Sequence, residues 1–311
     1  MQVADVRAEA LDVMSLELRP VGGGQLPAFE PGAHLDLRLP NGLTRQYSLT
    51  NDWRERDRYV IGVARVADSR GGSSFVHCNI RAGTQLTISG PINNFALDPR
   101  AERFLFIAGG IGITPIMAMV RWCTAKGKPW RLIYAARSRQ RAAFYEELCG
   151  LARDGAQFHF DDECGQVLDV AQAIAGWNEG EWVYCCGPAP LMDAVKALSA
   201  HLPGGTVRFE WFTTRESDEP QEAHAFRVRL ERSGVELDVP EHKSILEVLE
   251  ENGIEHPFSC REGLCGTCLT NVISGEPDHR DYVLSDEERA SGKLMTICCS
   301  RSKSPQLVLD L

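Results

Sequence analysis

The chain has 311 residues, of which 43% are hydrophobic and 24% are charged, as in an ordinary folded protein of two or three domains. It contains no run of about 18 apolar residues and begins with no leader-like segment, which argues against a membrane span and an export signal. The net charge of −10 argues against nucleic-acid binding, and eleven cysteines favour a reducing cytoplasm.

The first 100 residues have the pattern of short β-strands. Apolar residues alternate or cluster over residues 3–10, 35–39 and 59–64, and glycine-containing turns separate these segments. Several short strands at close spacing predict an antiparallel β-barrel over residues 1–100.

Two polar stretches of this barrel are candidate binding sites. One strand carries Arg45, Tyr47 and Ser48, and its alternation places Arg45 and Tyr47 on the same face. A glycine-rich turn at residues 69–74 contains Gly72 and Ser73 and precedes a predicted helix, whose free amides would suit a phosphate. Each stretch by itself is more often an ordinary strand or a capped turn.

From residue 101 the pattern changes to alternating strands and helices. Residues 103–108 form a continuous apolar run of the kind found in buried parallel strands. Further strands are predicted at residues 131–136, 156–160, 182–186 and 206–212, with helices between them, one of which is predicted to begin at residue 142. This order predicts a doubly wound parallel sheet over residues 101–212, with its ligand crevice at the carboxyl ends of the strands.

Two turns of this sheet have nucleotide-binding character. The first strand leads into a glycine-rich turn with Gly110, Gly112 and Thr114, and Thr114 is predicted to cap the helix that follows. The fourth strand ends at Cys186, followed by Gly187 and a proline. The remaining cysteines outside the C-terminal run have no motif and are predicted to pack in cores: Cys78, Cys123, Cys149, Cys164 and Cys185.

The C-terminal region begins after a polar stretch, residues 213–223, that is the best candidate for a linker. Residues 225–239 predict a hairpin around Gly234, and residues 243–253 predict a helix. These elements precede the main cysteine run of the chain.

Three cysteines in this run, Cys260, Cys265 and Cys268, have the C-x4-C-x2-C spacing of plant-type [2Fe-2S] ligands. Cys298 follows after 29 residues as the predicted fourth ligand, although the adjacent Cys299 competes for that place. A structural zinc site would more often show two C-x2-C pairs, and disulfides are disfavoured without an export signal. The run therefore predicts a one-electron carrier.

Taken together, the motifs resemble the phthalate dioxygenase reductase family, which includes vanillate O-demethylase reductases. A flavin barrel, a nucleotide sheet and a ferredoxin follow one another in that order, with the ferredoxin at residues 224–311. The resemblance implies a β-grasp ferredoxin, FMN as the flavin and a Rieske-type oxygenase as the electron acceptor. It also favours NADH as the electron donor, and we expect a monomer.

The resemblance also assigns roles to single residues. The residues that it implies in contact with FMN are Arg45, Tyr47, Ser48, Gly72 and Ser73. The residues that it implies in contact with the nucleotide are Gly110, Gly112, Thr114, Cys186 and Gly187. Ser48 and Cys186 would lie nearest the reacting atoms. Phe212 would cover the flavin face that the nicotinamide must reach.

These assignments imply hydride transfer from the nicotinamide to the flavin, followed by single-electron transfer to the cluster and to the oxygenase. Two other functions stay open: reduction of a haem protein or a free ferredoxin, and redox sensing without turnover. The electron donor is also ambiguous. Arg137 and Arg139 follow the second strand of the sheet and no acid does, which favours NADPH, whereas the family resemblance favours NADH; we choose NADH.

Overall fold

A computed structural model describes residues 1–66, 71–152, 155–213 and 224–311. All of the predicted linker after residue 213 lies outside these described residues, and so do residues 69 and 70 of the glycine-rich turn. The chain forms two compact units, Met1–Glu210 and Trp211–Leu311. The first unit contains both the barrel and the nucleotide sheet, and the predicted boundary between them at residue 100 stays a prediction.

The N-terminal part of the first unit consists of antiparallel strands. Its elements are β1 (Gln2–Ala10), β2 (Val13–Arg19), β3 (His34–Arg38), β4 (Thr44–Ser48), β5 (Tyr59–Ala64), α1 (Gly72–Asn79) and β6 (Thr87–Ile92). Two sheets, β1-β2-β5 and β4-β3-β6, enclose one core, in which alternate residues such as Leu35 and Leu37 are fully buried. Leu49 bridges to Ile61 and so joins the two sheets. The predicted antiparallel barrel is confirmed.

The rest of the first unit is a parallel sheet covered by helices. Its elements are β7 (Arg103–Gly109), α2 (Ile113–Lys126), β8 (Trp130–Ala136), α3 (Tyr145–Ala152), β9 (Ala156–Phe160), α4 (Asp161–Cys164), α5 (Val170–Ala175), β10 (Glu181–Cys186), α6 (Ala189–Leu198) and β11 (Val207–Glu210). The strand order is β11-β10-β7-β8-β9, and all neighbours are parallel. The order reverses between β7 and β10, so the ligand crevice is expected where these two strands end.

Two helix starts differ from the sequence predictions. Thr114 does not cap α2, because Gly112 holds the cap position and the Thr114 hydroxyl donates to the Ile111 carbonyl at 2.9 Å. The helix predicted from residue 142 begins instead at Tyr145. Phe144 has a φ of 59°, a left-handed conformation that interrupts a right-handed helix.

The cysteines without a motif fall into two groups. Cys123 and Cys185 are buried, as predicted for core thiols. The prediction is wrong for Cys78, Cys149 and Cys164, which are exposed. Cys78 and Cys149 lie on short helices of which only part is buried, and Cys164 ends a four-residue helix with no buried residue. The residue type therefore did not indicate an inward-facing position.

The second unit has a mixed sheet with one helix packed on it. Its elements are β12 (Phe226–Leu230), β13 (Glu236–Val239), α7 (Ile245–Glu251), β14 (Leu269–Ser274), β15 (Pro277–Asp278), α8 (Asp286–Ser291), β16 (Leu294–Thr296), β17 (Arg301–Ser302) and β18 (Gln306–Leu309). The sheet order is β13-β12-β18-β14-β16, and the buried face of α7 belongs to its core. The predicted hairpin, helix and β-grasp fold are confirmed. Across the described residues of the chain, no helix has the length and apolar character needed to cross a bilayer.

Candidate functional site

The predicted flavin-binding strand, β4, and the glycine-rich turn lie against each other. A Cβ atom on Gly72 would lie 2.7 Å from Nε of Arg45, so only glycine lets the guanidinium approach the start of α1 this closely. Gly71 precedes that helix with a φ of 84°, and Ser73 accepts a hydrogen bond from the amide of Val66 at 3.2 Å. A cation beside a helix N-terminus fits the phosphate of a flavin nucleotide.

Tyr47 lies on the same strand and packs against the barrel core. Burial raises the pKa of Tyr47 to about 12, so the phenol is neutral at physiological pH. A neutral, half-buried ring can pack on a flavin ring while its hydroxyl stays available for a hydrogen bond.

Ser48, Cys186 and Glu210 come together from three different strands. Ser48 ends β4, is only 3% exposed and donates a hydrogen bond from Oγ to Oε2 of Glu210 at 3.3 Å. Glu210 is the last residue of β11 and pairs in register with Cys186, the last residue of β10. The structure thus joins the flavin strand to the nucleotide sheet at the carboxyl ends of the parallel strands.

This junction carries little charge at neutral pH. Burial raises the pKa of the half-buried Glu210 carboxyl to about 8, and it raises the pKa of the Cys186 thiol well above its ordinary value. Both groups are therefore mainly protonated at pH 7. A neutral, water-poor corner suits a nicotinamide ring and a hydride donor, because hydride transfer requires no side chain to move a proton.

Sequence reasoning identified Ser48 and Cys186 but missed Glu210. The available signal was a carboxylate at the end of a predicted strand, at the sheet edge where Cys186 also lies. That signal acquires meaning only when the strand order is known, because β10 and β11 are neighbours in space.

The two glycine turns of the nucleotide sheet touch each other. A Cβ atom on Gly112 would lie 2.1 Å from the carbonyl oxygen of Cys186, and one on Gly187 would lie 3.0 Å from Cα of Gly109. Gly110 has a φ of 52°, and no atom lies within 4 Å of the place its Cβ would take. The two turns pack closely against each other and leave the side at Gly110 open. This arrangement lets a pyrophosphate approach the backbone.

Two predicted contacts receive less support from their surroundings. Thr114 is 1% exposed and its methyl group packs against Gly62 of the barrel, so its role at the pyrophosphate stays a prediction. Phe212 belongs to the second unit and its side chain is 37% exposed. Its proposed place over the flavin also stays a prediction.

The C-terminal cysteine loop brings its thiols together. The Cys260 thiol contacts those of Cys265 and Cys298, and the Cys268 thiol contacts that of Cys298. Backbone amides donate to these sulfurs: those of residues 262 and 264 reach Cys260 at 3.3 Å each, and that of Thr267 reaches Cys265 at 3.4 Å. Amides directed at thiolates are a hallmark of iron–sulfur sites.

The loop supplies the four thiols that a two-iron cluster requires. A [2Fe-2S] cluster requires only two thiolates at each iron, so four thiols spread around a loop are the expected arrangement. The buried hydroxyl of Ser259 has no hydrogen-bond partner among the described residues, and a sulfide or thiolate of such a cluster would accept from it.

Cys299 contacts this loop and the thiol of Cys298. Its sulfur lies 3.2 Å from Oγ1 of Thr296, and a Cβ atom on Gly263 would approach it to 2.5 Å. Cys298, by contrast, contacts two of the predicted ligands. This geometry favours Cys298 as the fourth ligand.

Comparison with known proteins identifies two domains and a family. Residues 106–197 match the oxidoreductase NAD-binding domain, and residues 228–303 match the 2Fe-2S iron-sulfur cluster binding domain. A solved structure of phthalate dioxygenase reductase, described as modular for electron transfer from pyridine nucleotides to [2Fe-2S], is 42% identical with a TM-score of 0.73. The similarity covers 100% of this chain and 97% of that one. The chain belongs to the phthalate dioxygenase reductase family.

Two further similarities bear on the electron acceptor of this family member. Phenoxybenzoate dioxygenase subunit beta of Ectopseudomonas oleovorans is 47% identical over 300 residues, which cover 96% of this chain and 93% of that protein. An intact type IV self-sufficient cytochrome P-450 monooxygenase is 38% identical with a TM-score of 0.92. All of this chain matches there, but it spans only 40% of that longer protein.

As a member of the phthalate dioxygenase reductase family, the protein is an oxidoreductase that uses NADH, FMN and a [2Fe-2S] cluster. The flavin accepts an electron pair as hydride and the cluster carries electrons singly. The predicted cofactors are therefore confirmed, and the zinc, disulfide and sensor alternatives are set aside.

Proposed function

We propose that the protein is the reductase component of a Rieske-type oxygenase or O-demethylase that acts on an aromatic compound. The observation that carries this proposal is the junction of Ser48, Glu210 and Cys186, where the flavin strand meets the nucleotide crevice within one unit. The same chain carries a thiol-lined cluster loop as the electron exit. Relatives named phthalate dioxygenase reductase and vanillate O-demethylase oxidoreductase support the class of acceptor.

Each group of residues has one task in this scheme. Arg45 and the turn at Gly72 and Ser73 bind the FMN phosphate, and Tyr47 packs on its ring. Gly110, Gly112 and Gly187 hold the pyrophosphate of NADH by their backbone. Ser48 and Cys186 position the reacting rings, and Glu210 holds the Ser48 hydroxyl in place. The cluster ligands are Cys260, Cys265, Cys268 and Cys298.

The test is anaerobic mixing of the holoprotein with NADH in a stopped-flow spectrophotometer, with an oxidised Rieske oxygenase as the second reactant. We expect flavin and cluster absorbance to bleach before steady state, and the oxygenase cluster to become reduced only when the reductase is present. If flavin and cluster bleach but no Rieske oxygenase accepts electrons, the proposed partner is wrong.

A haem protein is the second candidate acceptor, because the whole chain matches a region of a self-sufficient cytochrome P-450. Trapping reduced haem with carbon monoxide separates the two acceptors. Faster formation of the carbon monoxide complex than of reduced Rieske cluster would favour the haem protein.

We also infer that the protein works as a monomer in a reducing cytoplasm. Its thiol-rich composition supports the compartment, since the cluster thiols must stay reduced until iron binds. Sedimentation of the holoprotein checks the oligomeric state.

A further inference from the structure

The residues that follow β8 are the ones expected to distinguish NADH from NADPH. The second strand of a doubly wound sheet ends beside the adenosine ribose, where an acid selects the free 2′-hydroxyl and an arginine accommodates a 2′-phosphate. Here Arg137 and Arg139 follow the strand and no acid does. By sequence alone, this edge is that of an NADPH enzyme.

The structure supplies an acid from the neighbouring strand. Glu163 lies in α4, directly after β9, and β9 is parallel to β8 and adjacent to it. Its carboxylate binds Arg139 at two points, with Nε to Oε1 and Nη2 to Oε2 both at 3.0 Å. The amide of Asp162 also donates to the carbonyl of Arg137 at 3.2 Å, which holds α4 against the end of β8.

Two aromatic rings fix the same guanidinium. The carbon atom at its centre lies 5.1 Å from the ring centre of Tyr145 and 4.7 Å from that of Phe160. The Tyr145 hydroxyl accepts a further hydrogen bond from Arg139. With carboxylate and ring contacts together, Arg139 is held more firmly than an exposed ion pair alone would hold it.

We propose that the Glu163–Arg139 pair makes this site select NADH over NADPH. A 2′-phosphate that approached Arg139 would meet the Glu163 carboxylate and would have to displace it. The free 2′-hydroxyl of NADH carries no charge and meets no such repulsion. The inference rests on the proposed role of NADH as electron donor and adds the residues that determine the preference.

The decisive variant is Glu163→Gln, which removes the charge and keeps the size of the side chain. We expect the ratio of kcat/KM for NADH to that for NADPH to fall about tenfold, mainly through a lower KM for NADPH. Ferricyanide serves as the electron acceptor, so the result does not depend on any partner oxygenase. Failure of the proposed oxygenase partner would leave this measurement intact.

A binding measurement provides the second readout. Calorimetry with adenosine 2′,5′-bisphosphate and with 5′-AMP reports the ribose subsite without turnover. In Glu163→Gln we expect the bisphosphate to bind about tenfold more tightly and 5′-AMP to change less than twofold. The double variant with Arg139→Gln should lose the gain, because the released arginine is the group that binds the 2′-phosphate.

Glu179→Gln is the matched control, since Glu179 is exposed just before β10, at the amino ends of the parallel strands, whereas Glu163 follows the carboxyl end of β9. The proposal is overturned if Glu163→Gln leaves both ratios unchanged, or if Glu179→Gln changes them equally. It is also overturned if the native protein prefers NADPH, or if the double variant keeps the gain.

Discussion

Cys298 and Cys299 are neighbours in the chain, but their thiols have different surroundings. The Cys298 thiol contacts those of two predicted ligands, Cys260 and Cys268, whereas the Cys299 thiol contacts Cys298 and Thr296. We expect Cys298→Ser to abolish the visible absorbance of the cluster and Cys299→Ser to retain it, with iron and sulfide counted in both purified proteins. A cluster-free Cys299→Ser protein beside an intact Cys298→Ser protein would reverse the assignment.

Glu210 should make the stability of the first unit depend on pH. Because burial raises its pKa from 4.5 to about 8, the folded protein keeps a proton that the unfolded chain has lost. The favourable contribution is therefore fully present below about pH 4.5 and is lost as the pH rises through about 8. The slope cannot exceed about 1.4 kcal/mol per pH unit.

Glu210→Gln removes this titration and keeps a side chain of the same size. Urea unfolding of both proteins at several pH values measures the difference in the free energy of unfolding. We expect that difference to shift in favour of the variant as the pH rises from 5 to about 9. Parallel pH profiles for the two proteins would show that Glu210 does not retain its proton on folding.

At the scale of single residues, motifs revealed the positions whose residue type is restricted by chemistry, such as the cysteines of the loop and the glycines of the turns. They did not reveal Glu210 or Glu163, because each acts on a side chain from another strand. A one-dimensional pattern carries no information about which strands are neighbours. The sequence also did not indicate whether Cys78 faces the core or the solvent, since a short helix has too few residues to define a face.

At the scale of elements, the contact between the two nucleotide turns restricts the residue type most strictly. Gly112 leaves no room for a Cβ, which would lie 2.1 Å from the Cys186 carbonyl oxygen and 2.7 Å from the Gly187 amide nitrogen. We expect Gly112→Ala to separate the turns and to raise the KM for NADH tenfold or more, about 1.4 kcal/mol of lost binding. Flavin and cluster absorbance should stay at native levels.

Gly150→Ala is the control for this prediction. Gly150 lies within α3, and no atom of the described residues lies within 4 Å of the place its Cβ would take. Alanine there should stabilise the helix by up to about 1 kcal/mol and leave the KM unchanged. A native KM in Gly112→Ala would mean that the turns can move apart without loss of nucleotide binding.

Element prediction succeeded where apolar runs were long and bounded by turns. The strands predicted at residues 59–64 and 156–160 coincide with β5 and β9. Helix starts were less accurate, because the left-handed Phe144 delays α3 and a backbone glycine replaces the expected side-chain cap of α2. The four-residue α4 was missed, since one helical turn has no periodicity to detect.

For the whole molecule, the order of barrel, nucleotide sheet and ferredoxin followed from the changes in residue pattern along the chain. The division into two units after Glu210 did not follow, because the barrel and the sheet share contacts such as Ser48 with Glu210 that only folding creates. One unit therefore contains the proposed flavin and nucleotide sites, and the proposed cluster ligands belong to the other.

The charge of the ferredoxin region, residues 224–311, predicts how the protein meets its acceptor. Residues 224–311 carry 16 acidic and 10 basic side chains, so their net charge of −6 is more than half of the −10 of the chain. Long-range attraction would steer this unit toward a basic face on the oxygenase. Salt screens such attraction, since the Debye length falls from about 30 Å at 0.01 M to about 8 Å at 0.15 M ionic strength.

We therefore expect the second-order rate constant for reduction of the oxygenase to fall about tenfold or more over that range of salt. Stopped-flow mixing of prereduced protein with oxidised oxygenase measures it at several protein concentrations. Reduction of ferricyanide is the control, and its rate should rise with salt because the acceptor is itself an anion. An oxygenase rate that also rises would mean that the acidic unit is repelled by its partner, and docking would then depend on apolar contacts rather than on charge.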